Sequence, residues 1–164
     1  MAQDLEVSFN SPQCGWMSIG FSDGAGEFHT TTSHAPYAAA LPELMQILTL
    51  LNDPDTPGNE YLLRWNRDPE EFDFRFVREG SRLLIEIFQY PNDEREESER
   101  VKVFQHLGSI ADVTNAFAAT FEQLYKDRNT DEFEFHWRQA FPLREYEAFC
   151  QSTGRSIDRS TPAY

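Results

Sequence analysis

Positive charge is what this sequence most lacks. Its only lysines are Lys102 and Lys126, and no Lys or Arg precedes Arg64, although eight Asp or Glu do. Across 164 residues, 28 acids outnumber 14 Lys and Arg, a formal charge of −14. Phosphate backbones and anionic membrane surfaces are bound through basic patches, so neither nucleic acid nor membrane is an expected partner. Cysteine is nearly absent too. Cys14 and Cys150 lie far apart, make no disulfide framework and read as buried free thiols. No apolar run approaches the ~20 residues of a membrane span. The opening MAQDLEVSF has neither the basic nor the apolar region of a secretory signal, so a cytoplasmic location is expected.

Motifs of catalysis and ligand binding are missing as well. His29, His34, His106 and His136 sit in no HxH, HExxH or CxxC context, which leaves zinc without a ligand set. No GxSxG elbow surrounds a serine, and nothing in the sequence places a histidine beside Cys14. Asp23-Gly24-Ala25-Gly26 lacks the spacing and the following lysine of a phosphate cradle. The aromatics do not interleave with basic residues as a single-strand nucleic-acid platform requires. No catalytic residue, cofactor or metal is therefore expected.

What is present is aromatic and patterned, with 14 Phe in the chain. The clearest element is a hairpin over residues 71–90, EFDFRFVREGSRLLIEIFQY. Phe72, Phe74 and Phe76 alternate with Asp73, Arg75 and Val77, the period of a strand with one buried face. Glu79-Gly80 is the expected loop, because glycine tolerates positive φ. That loop sets Phe76 against Leu83, Phe74 against Ile85 and Phe72 against Ile87, all on one face. It also sets Asp73 against Glu86. Facing carboxylates are unfavourable unless something neutralises them. A metal ion or a shared proton would serve; Arg75, or Lys102 from the next strand, is the simpler answer. Arg75, Arg78 and Arg82 read as a cluster at the hairpin tip, either an anion patch or ordinary solvated arginines.

Around the hairpin, residues 5–9 and 15–21 alternate and 27–32 is rich in β-branched side chains, so the start reads as an antiparallel meander. Leu41, Leu44, Met45, Leu48 and Leu51 predict a helix over 42–51, begun near Ser33 and Pro36 or at Pro42. Further strands are predicted at 61–65 and 100–106. Residues 91–100, PNDEREESER, hold no apolar side chain and read as a solvated, mobile loop. Ser109 with Asp112 matches a capping box and opens a helix to about Asp127 along Ile110, Val113, Phe117, Phe121 and Leu124. Residues 131–141 fit a strand through Phe133, Phe135 and Trp137, and equally a helix through Phe133, Trp137 and Phe141. A last helix starts at Pro142, with Leu143, Tyr146, Phe149 and Cys150 on one face and Gly154 as its stop. The expected fold is α+β: a mostly antiparallel sheet of about six to seven strands with helices packed on one face. It forms a single domain over 1–154, followed by a flexible tail at 155–164.

Acidic segments recur at 53–60, 68–73, 93–99 and 127–134. Such runs are ordinarily solvated, but they also make docking surfaces for basic proteins and raise association rates. From Trp65 onward, WNRDPEEFDFRF, a glycine turn and LLIEIF resemble a pattern in small uncharacterised bacterial α+β proteins. That resemblance implies fold alone. In size, acidity and absence of catalytic motifs the chain is also similar to immunity proteins, which neutralise bacterial toxins by binding them. The first expectation is therefore a non-catalytic acidic protein-binding module, an immunity-type inhibitor of a basic toxin or effector. Its expected partner-binding residues are Asp68, Glu70, Glu71, Asp93, Glu94, Glu96, Glu97 and Glu99. Two alternatives stay open. One is an enzyme or small-ligand protein with a pocket between sheet and helices. The other is a structural subunit that buries its open sheet face against a copy of itself, as a homodimer.

Overall fold

The computed structural model describes residues 4–34 and 39–157. The chain is α+β, with all its strand pairs antiparallel. β1 (Glu6–Phe9), β2 (Trp16–Asp23) and β3 (Gly26–Ser33) form the meander expected at the start. Alternation puts Met17, Ile19 and Phe21 on its buried face, with Phe9 and Phe28 beside them. β4 (Glu60–Arg64), β5 (Glu71–Glu79), β6 (Arg82–Tyr90) and β7 (Val101–Ser109) make a second sheet in that order.

One continuous sheet of six to seven strands is thus corrected to two sheets, of three and four strands. β3 and β4 are joined through α1 (Ala40–Leu51) and do not pair. Each sheet carries an apolar face, and the two faces close on each other. Phe21 packs edge-on to Phe74 and tilted against Phe104, both at 5.7 Å, while Phe28 meets Phe72 at 5.6 Å. Phe9 meets Trp65 at 5.4 Å. α2 (Ile110–Asp127) spans the seam, where Phe117 touches Phe9, Phe21 and Phe76. Edge-to-face ring pairs add about 0.5–1.5 kcal/mol each beyond the area they bury. So the helix-covered face of the larger sheet is covered by the smaller sheet as well, and among the described residues no second sheet packs on its opposite face.

Within the hairpin, the six residues read as one apolar face are all buried there. Their register differs. The loop is Gly80-Ser81, between paired Glu79 and Arg82, with Gly80 at φ 62°. Phe76 faces Ile85, Phe74 faces Ile87, and Phe72 faces Gln89. A slip of two residues changes every partner and no face, because side chains alternate with period two.

Ser109 caps α2 as expected, its Oγ accepting the Asp112 N–H at 3.0 Å. α1 starts without a side-chain cap after Ala39, Pro42 sits in its first turn, and Ser33 belongs to β3. The turn containing Pro36 lies outside the described residues. Residues 131–141 contain a helix, α3 (Phe133–Trp137), which buries Phe133 and Trp137 and leaves Phe135 72% exposed. α4 (Leu143–Ser152) buries Tyr146, Phe149 and Cys150, but Leu143 at its first turn is outside the core. Gly154, at φ 70°, ends it, and the Arg155 N–H returns to the Cys150 carbonyl at 2.8 Å. Arg155 also bonds Asn115 and Ile157 packs on the core, while 158–164 lie outside the described residues. Among the described residues no helix is long and apolar enough to cross a membrane.

Candidate functional site

Two of the acidic segments meet at one end of the four-stranded sheet. Glu71 opens β5 and pairs with Tyr90, the last residue of β6. The turn at 67–70 and the loop at 91–100 therefore leave the sheet side by side. Arg95 joins them. Its guanidinium donates to Glu71 Oε1 at 2.9 Å and to Asp73 Oδ1, and lies 4.4 Å from the centre of the Tyr90 ring. The Tyr90 hydroxyl donates to the other oxygen of Asp73 at 3.1 Å. Arg100 stacks on Phe88 at 4.2 Å. The loop also contains a turn in which Asn92 Oδ1 accepts the Glu94 N–H, and a single 3-10 turn at Glu97–Glu99. Eight of its ten residues are exposed, as expected of a solvated segment, yet it is docked on the sheet end. Without an apolar side chain it is held by two arginines, whose planar cations lie on aromatic faces.

The eight expected partner-binding residues fall into two kinds. Glu70 takes two hydrogen bonds from Arg67, at 3.0 and 2.7 Å, and these hold its carboxyl below the usual range. Glu71 is bound by Arg95. Both are committed to the fold. Asp68, Asp93, Glu94, Glu96 and Glu99 are exposed and make no ion pair among the described residues, and Glu97 reaches Arg100 only at 3.9 Å. Over 67–73 and 91–100, nine acids accompany three arginines.

The expected confrontation of Asp73 with Glu86 does not occur, because of the two-residue register difference. Asp73 faces Phe88, and Glu86 faces Arg75. Arg75 bonds Glu86 and, at 2.7 Å, Glu60; Lys102 reaches Glu86 at 3.3 Å. The facing carboxylates that suggested a metal are absent as a pair. Among the described residues, no three His, Cys, Asp or Glu side chains converge to hold an ion. The arginine cluster at the hairpin tip is corrected too. Arg78 donates to the carbonyls of Leu51, Asp53, Thr56 and Gly58 at 2.8–3.2 Å, tying the 52–59 loop to β5.

His106 and Asp23 lie together in a cavity wall, their side chains only 5% and 7% exposed, with Nδ1 2.7 Å from Oδ2. Asp23 Oδ1 also accepts the N–H groups of Ala25 and Gly26 at 2.9 and 3.0 Å. Burial alone would raise the Asp23 pKa; these hydrogen bonds outweigh it and hold the carboxyl below its ordinary range. A carboxylate poised for proton transfer needs the opposite shift. The pair therefore clamps the β2–β3 turn to β7. Cys14 is exposed, not buried as expected, and the Nδ1 of His136 accepts its backbone N–H at 3.1 Å. That histidine is one the sequence did not place; the contact crosses most of the chain. Cys150 is buried, as expected.

No family model, no curated protein and no solved structure matches the chain.

Proposed function

We propose that the protein is a non-catalytic, acidic protein-binding module, an immunity-type inhibitor that docks the acidic end of its four-stranded sheet on a basic toxin or effector. The observation that supports this reading is the Arg95 bridge. It gathers two acidic segments into one surface, on which Asp68, Asp93, Glu94, Glu96 and Glu99 make no ion pair among the described residues. A docked loop loses less conformational freedom on binding than a free one, so its charge is presented ready-made. Electrostatic complementarity acts chiefly on the rate of encounter and is screened by salt.

The test compares the chain with a variant carrying Asp93→Asn, Glu94→Gln, Glu96→Gln, Glu97→Gln and Glu99→Gln. Each is immobilised in lysate of the source organism at low and moderate salt, and retained proteins are identified and rebound in pure form. One basic protein held stoichiometrically by the native chain, weakened by salt, and associating roughly tenfold or more slowly with the variant is the expected result. Equal association rates for the two chains would remove the 93–99 loop from the interface.

A further inference from the structure

A cleft of about 570 Å³ lies where the three-stranded sheet meets the end of α2. Its floor is apolar and includes the buried side chains of Phe9 and Leu124. Alternation along β2 turns Met17, Ile19 and Phe21 inward, and so sends Trp16 outward. Trp16 lines the cleft and is 42% exposed, whereas the other two tryptophans, Trp65 and Trp137, are buried. Gln123 and Asp127, four residues apart on α2, share one side of the helix. Asp131 follows one turn later, its N–H donating to the Asp127 carbonyl at 2.8 Å. These three residues line the cleft as well.

We propose that this cleft is a binding site for an alkylguanidinium cation. Elsewhere, basic side chains meet the enclosed carboxylates: Arg67 on Glu70, Arg95 on Glu71 and Asp73, Arg75 and Lys102 on Glu86, His106 on Asp23. The carboxylates of the cleft are held by neutral donors instead. The Ser11 hydroxyl donates to Asp131 Oδ2 at 2.6 Å, and the Gln123 amide donates to Asp127 Oδ2. Their Oδ1 atoms accept no hydrogen bond among the described residues, and no described Lys, Arg or His lines the cleft. Arg128, next after Asp127, is turned onto the Tyr125 ring at 3.9 Å. Both acids also stand at the C-terminal end of an 18-residue helix, the negative pole of its dipole, where a bound cation relieves repulsion.

Trp16 selects the kind of cation. An indole face attracts positive charge, and a guanidinium is planar and weakly hydrated, so it stacks on the ring while its edge donates to carboxylates. Its alkyl stem suits a floor of Phe9 and Leu124. The Trp16 wall is held in place before any ligand arrives. Gln13 and Trp16 exchange backbone hydrogen bonds at 2.8 and 2.9 Å, and the Gly15 N–H between them donates to the His136 carbonyl of α3 at 2.6 Å. Little freedom is then lost on binding. None of these residues belongs to the acidic end of the larger sheet, so the site is independent of the docking reading.

Butylguanidinium is titrated at constant ionic strength into the isotopically labelled full chain, and the indole N–H signals are followed by NMR. Trp16→Phe identifies the Trp16 signal. That signal should move saturably while those of Trp65 and Trp137 stay, and no saturable movement overturns the proposal. Butylurea, a neutral counterpart of the same shape, should bind about tenfold or more weakly, since hydrogen bonds to charged groups are the stronger ones. Equal binding of the two overturns a cation site. Asp127→Asn and Asp131→Asn, with spectra dispersed as in the native chain, should each weaken butylguanidinium by about tenfold. Glu122→Gln removes an exposed acid of α2 that does not line the cleft, and should leave binding unchanged. Equal weakening by all three would mean that only net charge attracts the probe, and the cleft is not its site. The variant neutralised at 93–99 should bind butylguanidinium as the native chain does, which separates this site from the docking surface. A short neutral peptide with one central arginine identifies the source of the cation. Tighter binding than butylguanidinium assigns it to a protein's arginine, and weaker binding to a free small molecule.

Discussion

Asp23 is nearly enclosed, yet it accepts three hydrogen bonds, from His106, Ala25 and Gly26. These suit the ionised carboxylate, which is why its pKa falls despite burial. The consequence for stability has a definite sign. An unfolded Asp titrates near about 3.9, and the folded one lower. Asp23 therefore contributes its full stabilisation above that pH, and the contribution is lost as pH falls through the folded value. Glu60 and Glu70 shift the same way through Arg75 and Arg67, but more exposed pairs contribute little. Urea melts taken stepwise from neutral pH down to about 2 should show the native chain weakening below about pH 4. Asp23→Asn should be less stable at neutral pH by about 1–3 kcal/mol and flatter through that acid window. An equally steep acid limb in the variant would mean that other carboxylates control it. The two thiols differ as sharply. Cys14 is exposed, whereas Cys150 is buried and burial pushes its thiol up. A thiol reagent at neutral pH should label one cysteine in the folded protein and the second only on unfolding, since the thiolate is the reacting form.

At the scale of elements, α3 shows how a helical stripe prevails over an alternating one. Phe133 and Trp137, four residues apart, are buried, and Phe135 between them is 72% exposed. Phe133→Ala should cost about 3–5 kcal/mol in chemical denaturation. Phe135→Ala should stay within about 0.5 kcal/mol. Equal losses would mean that the segment packs as a strand. Both patterns are written in DEFEFHWRQAF, and only the surroundings choose: Phe133 meets Phe141, and Trp137 meets His34. The meander, α2 with its Ser109 cap, the buried face of the hairpin and that of α4 apart from Leu143 were legible because each is settled by neighbours in sequence, whereas the hairpin's register, set by which two residues turn, was not. The division into two sheets was not. Alternation says which face of a strand is buried, but not which strands pair across the long connection between Ser33 and Glu60. The candidate site was half legible for the same reason. The acidic residues stand out in composition, but their assembly depends on Arg95 reaching Tyr90 and Asp73 in three dimensions. Two arginines inside PNDEREESER, just after an aromatic strand end, were the only signal of docking.

Across the whole molecule, charge is in excess and unevenly placed. A net −14 works against compaction, and the repulsion is greatest where nine acids share one sheet end with three arginines. Ordered as it is, the 91–100 loop holds its charges at fixed separations near each other, whereas an unfolded chain would let them spread. Screening should then stabilise the folded state more than the unfolded one. Thermal and urea midpoints should rise as salt increases from low to physiological ionic strength, where the screening length shortens to about 8 Å. The variant neutralised at Asp93, Glu94, Glu96, Glu97 and Glu99 should melt higher than the native chain at low salt and gain less from added salt. Arg95→Ala gives the opposite sign. It leaves Glu71 and Asp73 unpaired beside that loop, Asp73 being buried, and should cost about 3–5 kcal/mol, as breaking one side of a buried pair does. If neutralisation lowers the melting point instead, the five carboxylates are partners within the fold, and the acidic end loses its standing as a surface held ready for a basic protein. If it raises the melting point while slowing capture of such a protein, the same charges weaken the fold and speed the encounter.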